Sequence, residues 1–431
     1  MKIVYLITGS GGSFYCGNCY RDMIYLRAIK RLKGVTAAAI PLYLPPDSSS
    51  AASEVDKNVF FGAISLYLRE KVSIFRNMPA FLEKFFDSSL FLKLAAKNAG
   101  STRTEGLEDM TISMIQGENA FPKKEIDRLV EYLTKEGKPD IIHLSNALII
   151  GLAHHLKKRL NVKIVCSLLN EDDWIDEMAE PFRSDAWKLI AKEACFVDAF
   201  ITPSQYYKDF FISRTGISGQ NIHMVPLGFD TIGSVVLEKK DNYPALGYLC
   251  RQNSMNGFDK VVDAFIILKK DGRLSGLTLH VSGGFTGDDK AFIRKQIQKI
   301  NKNGLKHDIR IYPEFDGTKK DEFFRNIDIM SVPVRKYDGY GLYLLEANAS
   351  GIPVVQPATG GFPEIIERSG GGIVYSPDSV EELANTLFMI FENHDLRKEL
   401  AAKGRENVKN LFSLAKMAEG LSLAYETALS R

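Results

Sequence analysis

The sequence predicts an α/β protein made of two doubly wound domains, each built around a parallel sheet. The 431 residues exceed what one hydrophobic core organises, and 45% hydrophobic with 25% charged residues is the composition of an ordinary globular chain. Short apolar segments alternate with helical patterns in two successive series. The stretch from Val225 to Pro244 contains glycine, proline and charges without periodicity, which predicts an interdomain connection between the series.

The first series begins at the amino terminus. Lys2 to Thr8 is an apolar strand, Gly9 to Gly12 form a glycine loop, and a helical pattern continues through Leu32. A second buried strand is predicted in VTAAAIPLYLP, because its core carries no alternating polar residues. Three helix–strand pairs follow in EIDRLVEYLTKEGKPDIIHLSN, GLAHHLKKRLNVKIVCSLLN and WKLIAKEACFVDAFITPS. The first domain is therefore predicted to span residues 1–232.

A helical insertion is predicted at about residues 65–100. Between Val72 and Asn98, phenylalanine, leucine and methionine recur at roughly helical spacing. One interpretation is that these helices pack on the first domain. The other is a surface that receives an amphiphilic acceptor or makes peripheral contact with a membrane, since Lys84, Lys93 and Lys97 flank the apolar face.

The second series predicts a domain over residues 240–411. Its strands are expected in ALGYLC, LTLHVSGG, DIRIYP and IDIMSVPV, with helices between them. A last helix, Ser413 to Ser430 within residues 412–431, follows this domain. Ligands of doubly wound sheets bind at the carboxyl ends of the strands, so we expect an active site in a cleft between two such edges.

Charge and cysteine usage exclude several classes of protein. The net charge is +2, which gives no electrostatic basis for binding nucleic acid. Five cysteines in a chain of this length argue against a disulfide framework, and no apolar stretch approaches about 20 residues, so we expect a soluble cytoplasmic protein. Cys16 and Cys19 form a CxxC pair for which a redox role, a metal site, and packing or shaping of an acceptor site all stay open.

The segment from Ile327 to Glu367 carries the clearest chemistry. A buried strand, a glycine loop and a helix follow one another, and Gly339 and Gly341 permit a tight turn beside the amino end of the helix. Free amides at such a helix end bind phosphate. Asp338 and Glu346 are expected to point near the same corner. Because a phosphate repels carboxylates, we expect these acids to accept hydrogen bonds from hydroxyl groups. The combination indicates a nucleotide sugar.

The sequences DGYGLYLLE, GIPVVQ and GGFPEII resemble the donor site of retaining glycosyltransferases of family 4, which have the GT-B fold. The resemblance implies that Glu346 holds the ribose hydroxyls and Asp338 the transferred sugar. It also implies that amides near Gly341 and Leu342 hold the diphosphate. The first acid of the family pattern is usually glutamate, so the shorter Asp338 leaves the donor sugar open.

The resemblance extends to GYLCRQNSMNGFDKVVDAF, HMVPLGFD, DAFITPSQ and SPDSVEELANTL. It also implies that the last helix, within residues 412–431, packs back on the first domain. By it, Arg251 neutralises the departing diphosphate, whereas Asn256 stands where a second cation, lysine, is expected. Either the protein is slow, or Arg335, Lys336 or Lys260 compensates.

The amino-terminal loop GSGGSFYCGNC does not match the dinucleotide fingerprint, because Phe14 stands in place of the third glycine. The family resemblance implies that Gly11 and Gly12 face the donor phosphates, and a purely tight-packing turn is the alternative. The motif YCGNCYRD resembles a bacterial subgroup of the family. By that resemblance Arg21 and Asp22 line the acceptor side.

Other acceptor-side candidates come from strand ends. Glu171 and Asp172 follow the strand KIVCSLL, and a solvated turn with a helix cap is the alternative interpretation of this acidic stretch. His143 ends another strand, where it is either structural or lines the cleft.

The sequence thus predicts a retaining glycosyltransferase that moves a sugar from a UDP, GDP or ADP sugar to a hydroxyl of a glycan or lipid-linked acceptor, in bacterial glycan or glycolipid biosynthesis. No cofactor and no metal are expected. A nonhydrolysing sugar-nucleotide epimerase and a catalytically weak sugar-nucleotide-binding protein are the alternatives. The predicted donor-binding residues are Gly11, Gly12, Arg251, Asn256, Gly283, Glu314, Asp338, Gly339, Tyr340, Gly341, Leu342 and Glu346.

Overall fold

The computed structural model describes residues 1–8, 14–15, 17–42, 104–116, 123–229, 243–315 and 317–431. The predictions for Gly11, Gly12, Cys16, the insertion at 65–100 and residues 230–242 of the connection lie outside these residues. The chain divides into two compact units. The first comprises Met1–Gly11, Asn18–Pro226 and Met417–Arg431, and the second comprises Gly12–Gly17 and Leu227–Lys416.

The first unit is built on a six-stranded parallel sheet. Its strands are β1 (Lys2–Ile7), β2 (Thr36–Pro41), β3 (Ile141–Leu144), β4 (Lys163–Ser167), β5 (Ala199–Thr202) and β6 (Ile222–Met224). Its helices are α1 (Gly17–Lys30), α2 (Glu108–Gln116), α3 (Lys123–Lys135), α4 (Leu152–Leu160), α5 (Glu171–Ile175), α6 (Phe182–Glu193) and α7 (Gln205–Thr215). The strands lie in the order β2-β1-β3-β4-β5-β6.

Consecutive apolar residues explain these strands, since β1 and β3 are buried along almost their whole length, as parallel strands covered on both faces are. The register places Tyr5 of β1 beside His143 of β3, and His143 beside Val165 of β4. His143 therefore lies between two neighbouring strands, beside a mid-strand residue of each.

The second unit repeats this architecture. Its strands are β7 (Ala245–Leu249), β8 (Thr278–Ser282), β9 (Ile309–Ile311), β10 (Ile329–Met330), β11 (Val354–Pro357) and β12 (Gly372–Tyr375). Its helices are α8 (Phe258–Lys270), α9 (Lys290–Lys302), α10 (Gly317–Arg325), α11 (Leu342–Ala349), α12 (Phe362–Ser369), α13 (Val380–Glu392) and α14 (His394–Leu411). A last helix, α15 (Leu414–Leu429), begins in this unit and belongs to the first unit from Met417 onward.

The second sheet has the strand order β12-β11-β10-β7-β8-β9, and all its pairs are parallel. The chain runs from β7 outward in one direction and then returns to place β10 on the other side of β7. Loops that leave β7 and β10 therefore diverge, and this point is where doubly wound sheets bind ligands. Among the described helices, none combines the length and the apolar character that crossing a membrane requires.

Candidate functional site

Four consecutive loops at the carboxyl edge of the second sheet carry predicted donor-binding residues. Asp338 follows β10, Arg251 follows β7, Gly283 follows β8 and Glu314 follows β9. Because these strands are neighbours in the order β10-β7-β8-β9, the four loops lie side by side. The fold thus gathers on one edge residues that are up to 87 positions apart in the sequence, from Arg251 to Asp338.

Asp338 binds the two backbone amides that immediately precede the first residue of α11. Its Oδ1 accepts hydrogen bonds from the backbone amides of Tyr340, at 3.0 Å, and Gly341, at 3.1 Å. The carboxylate is 7% exposed and lies where a helix end attracts negative charge. The Gly341 amide, one of those predicted to receive a diphosphate, is therefore engaged by Asp338, and its role in donor binding stays a prediction. The Tyr340 hydroxyl donates to the carbonyl of Leu227 at 3.2 Å.

The GGFPEII turn packs directly against Asp338. Gly360 has a φ of +59°, and a Cβ at this position would overlap the carbonyl oxygen of Asp338. The amide of Gly361 donates to that same oxygen at 2.9 Å. Glycine at position 360 lets two backbones approach and fixes the loop that holds Asp338.

Glu346 lies in the second turn of α11, and all eight residues of this helix are buried. The carboxylate is held by two donors: Lys320 Nζ at 2.7 Å from Oε1, and the Tyr15 hydroxyl at 2.8 Å from Oε2. Lys320 belongs to α10, and Tyr15 lies in the part of the amino-terminal segment that clusters with the second unit. With only 3% exposure, the charge of Glu346 depends on these partners.

Arg251 is paired inside the unit. Its guanidinium donates to Asp289, with Nε at 2.8 Å and Nη2 at 3.1 Å, and Nη2 also donates to the hydroxyl of Thr286 at 2.8 Å. The carbon Cζ lies 5.3 Å from the centre of the Phe14 ring, a cation–π distance. The side chain is 15% exposed, so the guanidinium lies near the surface at the carboxyl edge of the sheet and not within the core.

The three cations that could compensate for Asn256 occupy different positions. Arg335 makes a bidentate pair with Asp259, with both distances at 2.7 Å. Lys260 is 6% exposed and pairs with Asp378 at 2.7 Å. Asn256 itself donates from its side chain to the carbonyl of Arg251 at 3.0 Å, so it stabilises the loop after β7.

Lys336 and Asp338 both lie close enough to Cys250 to act on its thiol electrostatically. Burial raises the pKa of the Cys250 thiol to about 12, the charge of Lys336 opposes this shift, and the charge of Asp338 adds to it. Of the three cations, Lys336 is therefore the one that acts on the same thiol as Asp338, a predicted donor-binding acid.

Residues 14 and 15 add a short strand-like contact at the loop after β8. Phe14 forms an antiparallel bridge with Gly284, and the amide of Tyr15 donates to the carbonyl of Gly283 at 2.8 Å. Gly283 has a φ of +106°, which favours glycine. Phe14 and Tyr15 therefore contact three predicted donor-binding residues: Gly283, Arg251 and Glu346.

A cavity of about 350 Å³ opens beside the end of β9. Its lining includes Tyr312, Glu314 and Asn326, with Arg310 and Lys319 at its edge. The carbonyl of Glu314 accepts a hydrogen bond from Ser282 at 3.4 Å, which ties this loop to the end of β8. The cavity lies between β9 with the loop that follows it and the helix α10 with Asn326 just after it.

In the first unit, His143 and Arg21 are buried. His143 is 0% exposed, with Nδ1 at 2.8 Å from the Tyr425 hydroxyl and Nε2 at 2.8 Å from the Ser167 hydroxyl. Burial, aided by the charge of Arg21, lowers the pKa of His143 to about 3, so the ring is neutral. Arg21 pairs with Asp22 at 3.0 Å and donates to a carbonyl at 2.9 Å.

Glu171 and Asp172 begin α5 and share a phenol. The Tyr207 hydroxyl lies 2.7 Å from Glu171 Oε2 and 3.0 Å from Asp172 Oδ1, and Glu171 Oε1 accepts from the amide of Ala147 at 2.9 Å. Glu171 is 1% exposed, so the interpretation as a solvated turn is wrong for this residue. Burial raises the pKa of Asp172 to about 7, with further increases from the neighbouring acids.

The sequence did not predict the hydrogen-bond and ion-pair partners of Glu346 and Arg251. Lys320, Asp289 and Thr286 are ordinary helix and cap residues in the sequence, and only the packing brings them to Glu346 and Arg251. Tyr15 stood within the motif YCGNCYRD, so a signal existed for it, although its partner did not follow from the pattern.

Comparison with known proteins agrees with this architecture. The family model described as glycosyl transferases group 1 matches residues 233–407, and the model of glycosyltransferase family 4 matches residues 115–232. These two matches support the GT-B glycosyltransferases of family 4 as the family of this chain. Both models agree with the family that the sequence resembles, and the YCGNC subgroup stays a prediction.

Two similar sequences are the mannosylfructose-phosphate synthase of Agrobacterium fabrum and the lipopolysaccharide core biosynthesis mannosyltransferase LpsB of Rhizobium meliloti. The first is 26% identical over 54% of this chain and 53% of its own length, and the second is 26% identical over 43% and 52%. The chain thus spans about half the length of these curated relatives.

Two solved structures share the fold over nearly the entire chain. HepE of Anabaena, in complex with UDP and glucose, has a TM-score of 0.68 at 15% identity, covering 99% of this chain and 100% of its own. Sucrose-phosphate synthase of Thermosynechococcus elongatus has a TM-score of 0.70 at 16% identity, covering 100% and 99%. The predicted fold class, two Rossmann-like domains of the GT-B type, is confirmed.

Proposed function

We propose that the protein transfers a sugar from a nucleoside diphosphate sugar to a hydroxyl group of an acceptor, with retention of anomeric configuration. The observation that carries this proposal is the shared carboxyl edge of β10, β7, β8 and β9, whose neighbouring loops carry Asp338, Arg251, Gly283 and Glu314, with Tyr15 hydrogen-bonded to both Gly283 and Glu346. A base, a ribose, a diphosphate and a sugar need such a row of neighbouring sites.

Each residue contributes a physical role to this proposal. Glu346, a buried acceptor in an ion pair with Lys320, suits the ribose hydroxyls, because hydrogen bonds to charged groups are worth about 1.5 to 3 kcal/mol. Arg251 provides positive charge near the leaving diphosphate, and the amino end of α11 adds a partial positive charge. Asp338 lies at that same end, where the transferred sugar would be held. The proposal includes no metal or cofactor.

The comparisons support a sugar-nucleotide donor. The structure of HepE contains UDP with glucose, and the two curated relatives are named as a synthase of a mannosylated sugar phosphate and as a mannosyltransferase. For this chain we propose only the class of donor, a nucleoside diphosphate sugar, and not a particular base or sugar.

The experiment is a screen of UDP-, GDP- and ADP-sugars for turnover, together with calorimetric titration of UDP, GDP and ADP. We expect one nucleotide to bind and its sugar to be consumed, and consumption to persist in the presence of EDTA. Binding without transfer to any hydroxyl acceptor would instead favour a sugar-nucleotide-binding protein, and absence of nucleotide binding would refute the proposal.

Glu346→Gln gives a residue-level test. We expect it to weaken nucleoside diphosphate binding by about 10- to 100-fold, because it removes the charge from the ribose acceptor. Glu392→Gln changes an exposed carboxylate at the end of α13 and serves as the matched control. Equal binding by Glu346→Gln and wild type would refute the assignment of Glu346.

Arg251→Ala should lower turnover at saturating donor, since it removes the cation beside the leaving group. Because Arg251 also pairs with Asp289, melting curves must show that the variant stays folded, and Arg251→Lys tests whether charge alone suffices. Unchanged turnover in a folded Arg251→Ala would refute the leaving-group role.

A further inference from the structure

Glu346 is held from both sides, and this arrangement has a consequence for donor selection. Lys320 Nζ lies 2.7 Å from one carboxylate oxygen, and the Tyr15 hydroxyl lies 2.8 Å from the other. A carboxylate has about four acceptor positions, so one donor on each oxygen leaves one position per oxygen for a ligand. A ribose offers two adjacent hydroxyls, which match two such positions.

Lys320 also compensates the buried negative charge of Glu346. A carboxylate 3% exposed is costly when unpaired, and a diphosphate on the same edge of the sheet would repel it. The side chain of Lys320 is 19% exposed and that of Glu346 is 4% exposed, so the pair is largely shielded from solvent. The lysine therefore neutralises the acid in a place where an anionic ligand is expected.

We propose that Lys320 and Tyr15 are positioning residues for donor recognition: together they orient and neutralise Glu346 so that the protein discriminates a ribose from a 2′-deoxyribose. This inference rests on the proposed function and names a determinant of its specificity. Lys320 is the main holder because it supplies charge, and Tyr15 fixes the second oxygen.

Both residues come from elements outside α11. Lys320 is 26 positions and Tyr15 331 positions from Glu346 in the sequence. Helix geometry alone would leave the glutamate side chain several rotamers, whereas two external donors select one orientation. Loss of either donor should therefore affect recognition of the diol more than overall nucleotide binding.

The test compares ribonucleoside and 2′-deoxyribonucleoside diphosphates. Calorimetry gives the dissociation constants of UDP, GDP and ADP, and the tightest binder is then compared with its 2′-deoxy analogue. Wild-type protein should prefer the ribonucleotide by 10-fold or more, because a hydroxyl bound to a carboxylate is lost in the analogue. In Lys320→Met this ratio should fall to about threefold or less, and Lys320→Arg should restore most of it.

Two controls separate positioning from general damage. Lys302→Met removes an exposed lysine on α9, and Tyr375→Phe removes a buried hydroxyl that has no hydrogen-bond partner among the described residues. Both should keep the wild-type ratio. Tyr15→Phe, which removes only one oxygen atom, should lower the ratio, and it provides the test if Lys320→Met does not fold.

The outcomes distinguish this inference from the proposed function. If wild-type protein binds no nucleoside diphosphate, both fail. If it binds and transfers but shows no preference for ribose, or if folded Lys320→Met and Tyr15→Phe both keep the wild-type ratio, this inference alone is overturned.

Discussion

Asp172 should make the first unit less stable as the pH rises, and Asp172→Asn should remove that effect. Burial is the main reason that the pKa of Asp172 rises from 3.8 to about 7, and the charges of Asp173 and Glu171 add to it, while the hydrogen bond from Tyr207 opposes it. The unfolded chain therefore releases this proton near pH 4, whereas the native protein keeps it until about pH 7. Between these values, rising pH favours the unfolded state.

The size of the effect follows from the shift. One pKa unit corresponds to about 1.4 kcal/mol, and asparagine stays neutral at every pH. At pH 4.5 ionisation of Asp172 in the unfolded chain lowers the free energy of unfolding by only part of the full effect of the pKa shift. At pH 8 it lowers the free energy of unfolding by nearly the full effect. The stability of Asp172→Asn relative to wild type should therefore increase by about 3 kcal/mol between pH 4.5 and pH 8.

Urea unfolding followed by tryptophan fluorescence suits this measurement. The chain has two tryptophans, and both Trp174 and Trp187 lie in the first unit, as Asp172 does. The indole of Trp187 donates to Asp176 at 3.0 Å, so its emission depends on the native fold. Asp185→Asn controls for the loss of one negative charge in the same unit. A difference between Asp172→Asn and wild type that is equal at both pH values would refute the reasoning.

Two further predictions concern His143 and Gly257. Burial lowers the pKa of His143 to about 3, so the unfolded chain gains a proton near pH 6.5 and the native protein does not. Acid therefore destabilises the wild type. The destabilisation caused by His143→Gln should shrink by about 2 to 3 kcal/mol between pH 7.5 and pH 4.5 in urea titrations. Gly257 has a φ of +71°, and a Cβ at this position would overlap the carbonyl of Pro333, so Gly257→Ala should lower the stability by more than about 3 kcal/mol in thermal unfolding. Gly272 has a φ of +78° and open space around it, so Gly272→Ala should lower the stability by only about 1 kcal/mol. Similar costs at the two glycines would show that the overlap is relieved by movement.

The sequence by itself determined the alternation of strands and helices and, through DGYGLYLLE and GGFPEII, a resemblance to family-4 glycosyltransferases and the glycine loop that precedes α11. These features are local. Apolar runs predict buried strands, and a glycine loop before a helix predicts a turn, because the causes lie within a few residues of the effect. Strand ends were predicted less well, as in β10, where the strand expected in IDIMSVPV is limited to Ile329–Met330.

The tertiary structure decided which groups meet the acids, and no sequence pattern could. The partners of Glu346, Lys320 and Tyr15, are brought together by the order of the strands and by packing over 26 and 331 positions of sequence. The same applies to Arg251, whose guanidinium is paired with Asp289 across 38 positions. Charge and hydrogen bonding depend on distance in space, and a sequence records only distance along the chain.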